Sequence, residues 1–167
     1  MNLKKALFVL FTLSLIITAT TGCSTKGSKE KSEPTLTKEK KVLIDDLGKE
    51  KVTNHIKINL VKGEYATDSG IADDQGLVVL SFEIDNENYL EEVGVGAGDF
   101  QIFSDGKTYQ MYGEKDNFGE VIKSKGSAKG TGAYLIPANI SKGIIRYQPV
   151  NPNWPNMKKL EWSFTIK

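Results

Sequence analysis

One cysteine, one histidine and two groups of carboxylates are the side chains in this 167-residue sequence whose types and spacing could carry chemistry. Cys23, the sole thiol, lies in TATTGCST, residues 18–25, where it could serve as buried filler, as a reactive group or as a point of attachment. His55 stands alone, which excludes multi-histidine zinc sites and leaves any histidine-based triad to be built around this one residue. Its place in HIKINLV, residues 55–61, is the outward position of an alternating stretch, so it reads as a surface histidine without a catalytic role. Acidic residues gather as Asp68, Asp73 and Asp74 and again as Asp85, Glu87, Glu91 and Glu92. Oxygen-rich loops of this kind can hold Ca²⁺, which takes about six to eight oxygens, but EF-hand spacing is absent and solvated carboxylates are the expectation. A carboxylate pair for glycoside hydrolysis would need an aromatic-lined cleft that no stretch of the chain displays. The chain is therefore expected to be no enzyme and to take no cofactor or metal.

Two glycine-rich stretches invite a phosphate-binding reading. Residues 94–98 (GVGAG) are followed by Asp99 and a strand pattern, whereas a dinucleotide fingerprint needs a helix there to aim its amides and dipole at phosphate. They read as a flexible loop between sheets. Residues 126–132 (GSAKGTG) lack the Gly-Lys-Ser/Thr ending of a P-loop and read as a turn entering a strand. Among the aromatics, Phe82, Phe100, Trp162 and Phe164 take inward positions of strands. Trp154 sits in NPNWPN between two prolines, either as a rigid apolar hot spot at a loop apex or folded back as a plug for the sandwich. Tyr147, with Tyr109 and Tyr112, is a candidate to extend that surface.

Cys23 is read best with what precedes it. Lys4 and Lys5 are followed by an uncharged apolar run, residues 6–19, and then Thr20, Thr21 and Gly22. This is the three-zone pattern of a secretory signal, too short for a stable membrane span. A cysteine directly after small residues resembles the lipobox of bacterial lipoproteins, where cleavage before the cysteine accompanies attachment of diacylglycerol to its sulfur; Gly22 fits, and Thr20 stands where leucine is usual. The resemblance implies lipidation at Cys23 and a stable lipid anchor, since each buried methylene contributes about 0.8 kcal/mol and two acyl chains hold where one does not. It also implies an extracytoplasmic, cell-surface location in a Gram-positive bacterium. With no second cysteine, stability must come from an ordinary core.

Residues 24–41 turn to Lys, Ser, Thr and Glu with almost no large apolar side chains, and carry a net charge of about +3. Such a stretch cannot offset its ordering entropy and reads as a disordered tether. From Val42 onward the net charge is roughly −4, which argues against nucleic-acid binding, for which a basic face must displace counterions from phosphate.

The elements that must position these residues are strands. Residues 77–85 (LVVLSFEID) place Val78, Leu80, Phe82 and Ile84 on one face and Ser81, Glu83 and Asp85 on the other. Ile56, Ile58 and Leu60 alternate likewise, as do Leu160, Trp162, Phe164 and Ile166. Residues 100–112 read as a hairpin in which Asp105-Gly106 supplies the positive φ of a tight turn. Residues 132–136 and 144–149 are two more short strands, while 42–51 (VLIDDLGKEK) fit a short helix, an extra strand or more linker. An all-β, antiparallel sandwich follows. The expected organisation is a signal peptide at 1–22, a lipidated N-terminus and flexible linker at 23–53, and the sandwich at 54–167, too small for the two lobes of a solute-binding lipoprotein.

LVVLSFEIDNEN, DFQIFSDGKTYQ and KGTGAYLIPANISKGIIRYQP together resemble the immunoglobulin-like, telokin-like domain of a family of unknown function found in Gram-positive surface lipoproteins, similar also to a mycobacterial secreted immunoprotective antigen. The 94–98 stretch departs from that pattern. The expected role is non-catalytic binding of a protein or envelope component, with Trp154, Tyr147, Glu87, Glu91 and Glu92 as the candidate partner-binding residues. A carrier of an apolar ligand or metal is the alternative, and a small hydrolase a more distant one.

Overall fold

The alternation in residues 77–85 is realised in the computed structural model, where Val78, Leu80, Phe82 and Ile84 are at most 1% exposed. The structure describes residues 40–67, 70–149 and 157–167, so Cys23, Asp68, Trp154 and nearly all of the basic tether lie outside the described residues. Eleven strands are present among them: β1 (Lys41–Asp45), β2 (Glu50–Thr53), β3 (Ile56–Ala66), β4 (Gln75–Asn86), β5 (Val93–Gly96), β6 (Phe100–Ser104), β7 (Lys107–Tyr109), β8 (Gly119–Ile122), β9 (Ser127–Pro137), β10 (Lys142–Tyr147) and β11 (Leu160–Ile166).

Every pairing is antiparallel. One layer is built from β2, β3, β4 and β9, the other from β7, β6, β10 and β11, and β1 joins them. Its first residues pair with β3, Lys41 opposite Tyr65; its last pair with β11, Leu43 opposite Ile166 and Asp45 opposite Phe164. On the other side Met111 bridges to Tyr134 of β9, so the segment after β7 draws the sandwich toward a closed barrel. The inward faces meet in one core in which Phe82 stacks on Phe100 at 4.3 Å and Phe100 tilts against Tyr147 at 4.9 Å. Each such ring removed from water stabilises the fold by about 2–3 kcal/mol.

The described sheets begin at Lys41, not near residue 54. Leu43 is 5% exposed and lies so close to β3 that a Cβ on Gly63 would come within 2.8 Å of its own Cβ. Burial of that one leucine draws the preceding chain into the sandwich. His55 likewise leaves the strand expected for it: Asn54 and His55, at φ 45° and 62°, form the two-residue turn between β2 and β3, with both residues exposed. The turn at Asp105 and Gly106, φ 50° and 74°, has the expected form.

Residues 94–98 are not a flexible loop. Val93, Val95 and Ala97 are buried, β5 pairs with β8 from Val93 opposite Ile122 to Gly96 opposite Gly119, and a single 3₁₀ turn, Ala97–Asp99, leads into β6. Gly94 and Gly96 occupy the outward positions of a short strand whose valines face the core, and Gly98 lies in the 3₁₀ turn.

Candidate partner-binding surface

The segment between β4 and β5, residues 87–92, is organised by one buried side chain. Asn86 ends β4 at 2% exposure. Its amide N–H groups donate to the carbonyls of Glu91 (2.8 Å), Ile122 (3.1 Å) and Lys123 (3.2 Å), while its carbonyl oxygen accepts from the Asn88 N–H at 3.0 Å. Asn88 repeats the device on the surface, accepting the Leu90 N–H at 3.0 Å. These are the local side-chain-to-backbone bonds that make asparagine a turn residue.

Two neighbouring turns clamp the segment from either side. Glu87 donates its N–H to the His55 carbonyl at 2.7 Å. From the turn before β9, the Ser124 hydroxyl donates to the Asn88 carbonyl at 2.8 Å and the Lys125 ammonium to the Glu87 carbonyl at 2.7 Å. The same ammonium lies 3.2 Å from the centre of the Tyr89 ring, within cation–π range. The braced loop carries Tyr89 at 79% exposure and Leu90 at 91%. Single exposed apolar side chains are ordinary, but here two adjacent ones stand on a loop with many backbone anchors.

Glu87, Glu91 and Glu92 are exposed on this same loop and flank the apolar pair, so the structure brings these three candidates together. Tyr147 does not join them. Its ring is fully buried between the layers against Phe100, its hydroxyl has no hydrogen-bond partner among the described residues, and burial pushes its phenol up. It is a core residue and offers nothing to a partner. Tyr109 and Tyr112 are half-buried. Tyr89, Leu90 and the bracing Asn86 and Lys125 were not singled out from sequence; the available signal is an apolar pair stranded inside an Asn- and Glu-rich turn, with no alternation to bury it.

The chemistry open to the remaining groups is limited by geometry. Asp73 and Asp74 precede β4 and Glu87, Glu91 and Glu92 follow it, so the two acidic groups stand at opposite ends of a twelve-residue strand and do not pool their oxygens. Asp46 accepts from both the N–H (3.0 Å) and the hydroxyl (2.6 Å) of Ser163. Hydrogen bonds from Lys49 and Ser163 hold its carboxyl well below the ordinary carboxylate range. Asp99 accepts the Gly96 N–H at 2.8 Å, and burial raises its carboxyl. An open groove of about 380 Å³ runs over Phe103, Ile144, Ser163 and Thr165 on the outer face of β6, β10 and β11.

No protein-family model and no curated protein sequence matches the chain. Two crystal structures share its fold. A protein of Bacillus subtilis subsp. subtilis str. 168, described as a "putative lipoprotein", superposes with a TM-score of 0.54 at 16% identity over 70% of this chain, which spans 38% of that protein. A functionally unknown protein from Listeria monocytogenes EGD-e gives 0.53 at 10% identity over 77% of this chain and 88% of its own. At such identities the similarity is one of architecture.

Proposed function

We propose that this chain is a membrane-anchored bacterial surface lipoprotein whose β-sandwich binds a protein or envelope component without transforming it. The observation that carries the binding half is the braced loop that displays Tyr89 and Leu90 to solvent. A loop whose backbone is fixed before contact loses little entropy on docking, and tyrosine is among the side chains that dominate the energetics of interfaces. The anchoring half is supported by Cys23 directly after Gly22, behind a basic start and an apolar run, and by the architecture shared with a Bacillus subtilis protein described as a lipoprotein.

The finer assignment is to the immunoglobulin-like, telokin-like domains of Gram-positive surface lipoproteins, on the three stretches quoted above. The partners are the membrane, through the lipid on Cys23, and a protein or envelope component; the acidic domain disfavours nucleic acid. Glu87, Glu91 and Glu92 remain in the proposed surface, and Trp154 remains a candidate from sequence alone.

The test compares the full-length chain with Cys23→Ala in intact cells. The wild-type chain is expected in the membrane fraction, with a diacylglyceryl mass on its N-terminal peptide, and to crosslink to a discrete envelope partner; the variant is expected in the medium. Equal release of both forms, with no partner recovered from either, would overturn the reading.

A further inference from the structure

Resting on that binding reading, we infer that the 87–92 loop docks, through Tyr89 and Leu90, into an apolar socket rimmed by Lys and Arg side chains on a partner protein. Three observations converge on this occupant. Leu90 and Tyr89 are the two most exposed of the large apolar side chains among the described residues, and they are adjacent in the chain. Asn86, Asn88, Ser124 and Lys125 hold the backbone from which both project.

Charge selects the partner. Lys125 is committed beneath the pair, its ammonium on the Tyr89 ring and the Glu87 carbonyl. The exposed carboxylates of Glu87, Glu91 and Glu92 flank the apolar tip, Glu87 within reach of the Lys57 charge and Glu91 accepting from the Asn88 amide at 3.4 Å. An acidic rim complements Lys and Arg on the opposing surface, and it is repelled by an anionic lipid leaflet, which would otherwise be a natural home for an exposed Tyr-Leu pair.

Placement agrees. The described chain joins the sheet where Lys41 pairs with Tyr65, near the end of β3, whereas Asn86, which roots the loop, pairs with Ile56 at its start. The docking tip and the point where the tether reaches the sheet are thus separated by nearly the length of an eleven-residue strand, roughly 30 Å. The exposed pair thus lies at the end of β3 remote from Lys41.

The experiment uses the lipidated full chain in intact cells, with p-benzoylphenylalanine replacing Leu90 in one form and Asp105, on the β6–β7 turn, in another. Irradiation of the first is expected to yield an adduct to one protein, with the crosslinked peptide carrying apolar residues flanked by Lys or Arg. Adduct yield should fall about tenfold or more in the triple variant Glu87→Gln, Glu91→Gln, Glu92→Gln, and comparably when salt is raised to about 0.5 M. Tyr89→Ser should lower it as well. Adducts only to lipid, to a second copy of the chain or to a neutral or acidic protein surface, or no adduct at all from position 90, overturn the inference. Protein adducts from position 105 but none from 90 would leave the binding module standing and remove this loop from it; no protein adduct from either position would remove both.

Discussion

The indole N–H of Trp162, on β11, donates to the carbonyl of Lys49 at 2.8 Å and so ties a strand of one layer to the turn that opens the other. Trp162 is fully buried, and the Lys51 ammonium stands 5.3 Å from its ring. Trp162→Phe keeps most of the apolar volume but strands the carbonyl, at a cost of about 1–3 kcal/mol. Trp162→Ala should cost about 3–5 kcal/mol. Urea denaturation followed by far-UV circular dichroism separates the two; equal losses would show that the hydrogen bond, and not the volume, carries the effect there.

Asp46 and Asp99 should give stability profiles of opposite sign. Hydrogen bonds from Lys49 and Ser163 lower the Asp46 carboxyl from its ordinary 3.8. Its contribution is therefore complete above that value and is lost as pH falls through the lowered one. The side chain is 23% exposed and screened by water, so about 1 kcal/mol is expected. Asp46→Asn should be less stable than wild type at pH 7, the gap narrowing below about pH 4.

Asp99 runs the other way. Desolvation raises its carboxyl, so the folded state holds the proton more tightly than the unfolded chain, and stability is lost as pH rises through the raised value. Asp99→Asn retains an acceptor for the Gly96 N–H at 2.8 Å without the buried charge. It should match or exceed wild type at pH 7 and fall behind it toward pH 3. Thermal melts across pH 3–8 check both variants; parallel curves would refute the signs.

Gly132 allows β9 to close on the turn after β5. A Cβ there would lie 2.7 Å from the Ala97 Cβ, 2.8 Å from the Tyr134 hydroxyl and 3.1 Å from the Phe82 ring. The Tyr134 hydroxyl is fixed by donating to the Ala97 carbonyl at 2.7 Å, so it cannot retreat without losing that bond. Gly132→Ala should destabilise by about 1–3 kcal/mol and lower Tm by several degrees. An unchanged Tm would mean that the β5 region yields more easily than its burial implies.

Asn86 and Leu90 should separate architecture from display. Asn86→Ala removes a donor from three carbonyls, of which that of Lys123 keeps the Gly126 N–H at 2.9 Å, and should cost about 2–3 kcal/mol, with faster hydrogen exchange across residues 87–92. Leu90→Ser touches a side chain 91% exposed and should change stability by less than about 0.5 kcal/mol. A large loss from Leu90→Ser would mean that the leucine packs against the domain and is not presented by it.

Inward faces were legible wherever apolar residues alternate cleanly. Ile56, Ile58 and Leu60, the run from Val78 to Ile84, and Leu160, Trp162 and Phe164 are all buried as expected, because a period-two pattern admits only one way to remove those side chains from water. The Asp105-Gly106 turn was legible for a local reason, since positive φ suits few residue pairs. In 144–147 (IIRY) two adjacent isoleucines left the inward face undetermined. Pairing decided it: Ile145 falls opposite Trp162 and Tyr147 opposite Leu160, turning Tyr147 inward and Arg146 outward to Glu161 at 2.8 Å.

By itself, the chain of residue types determined the all-β class, most of the core, the acidity of the domain and the distinct chemistry expected at Cys23, since these depend on composition, periodicity and near neighbours. Tertiary structure alone decided that β1 passes from one layer to the other, that Gly94 and Gly96 belong to a packed strand, and that Tyr89 and Leu90 are held out to solvent. Each of these rests on partners far away in sequence: Tyr65 and Ile166 for β1, Ile122 and Phe118 for the glycine strand, Ser124 and Lys125 for the loop. Such pairings are set by the register of strands over a shared core, which no local window of residues contains.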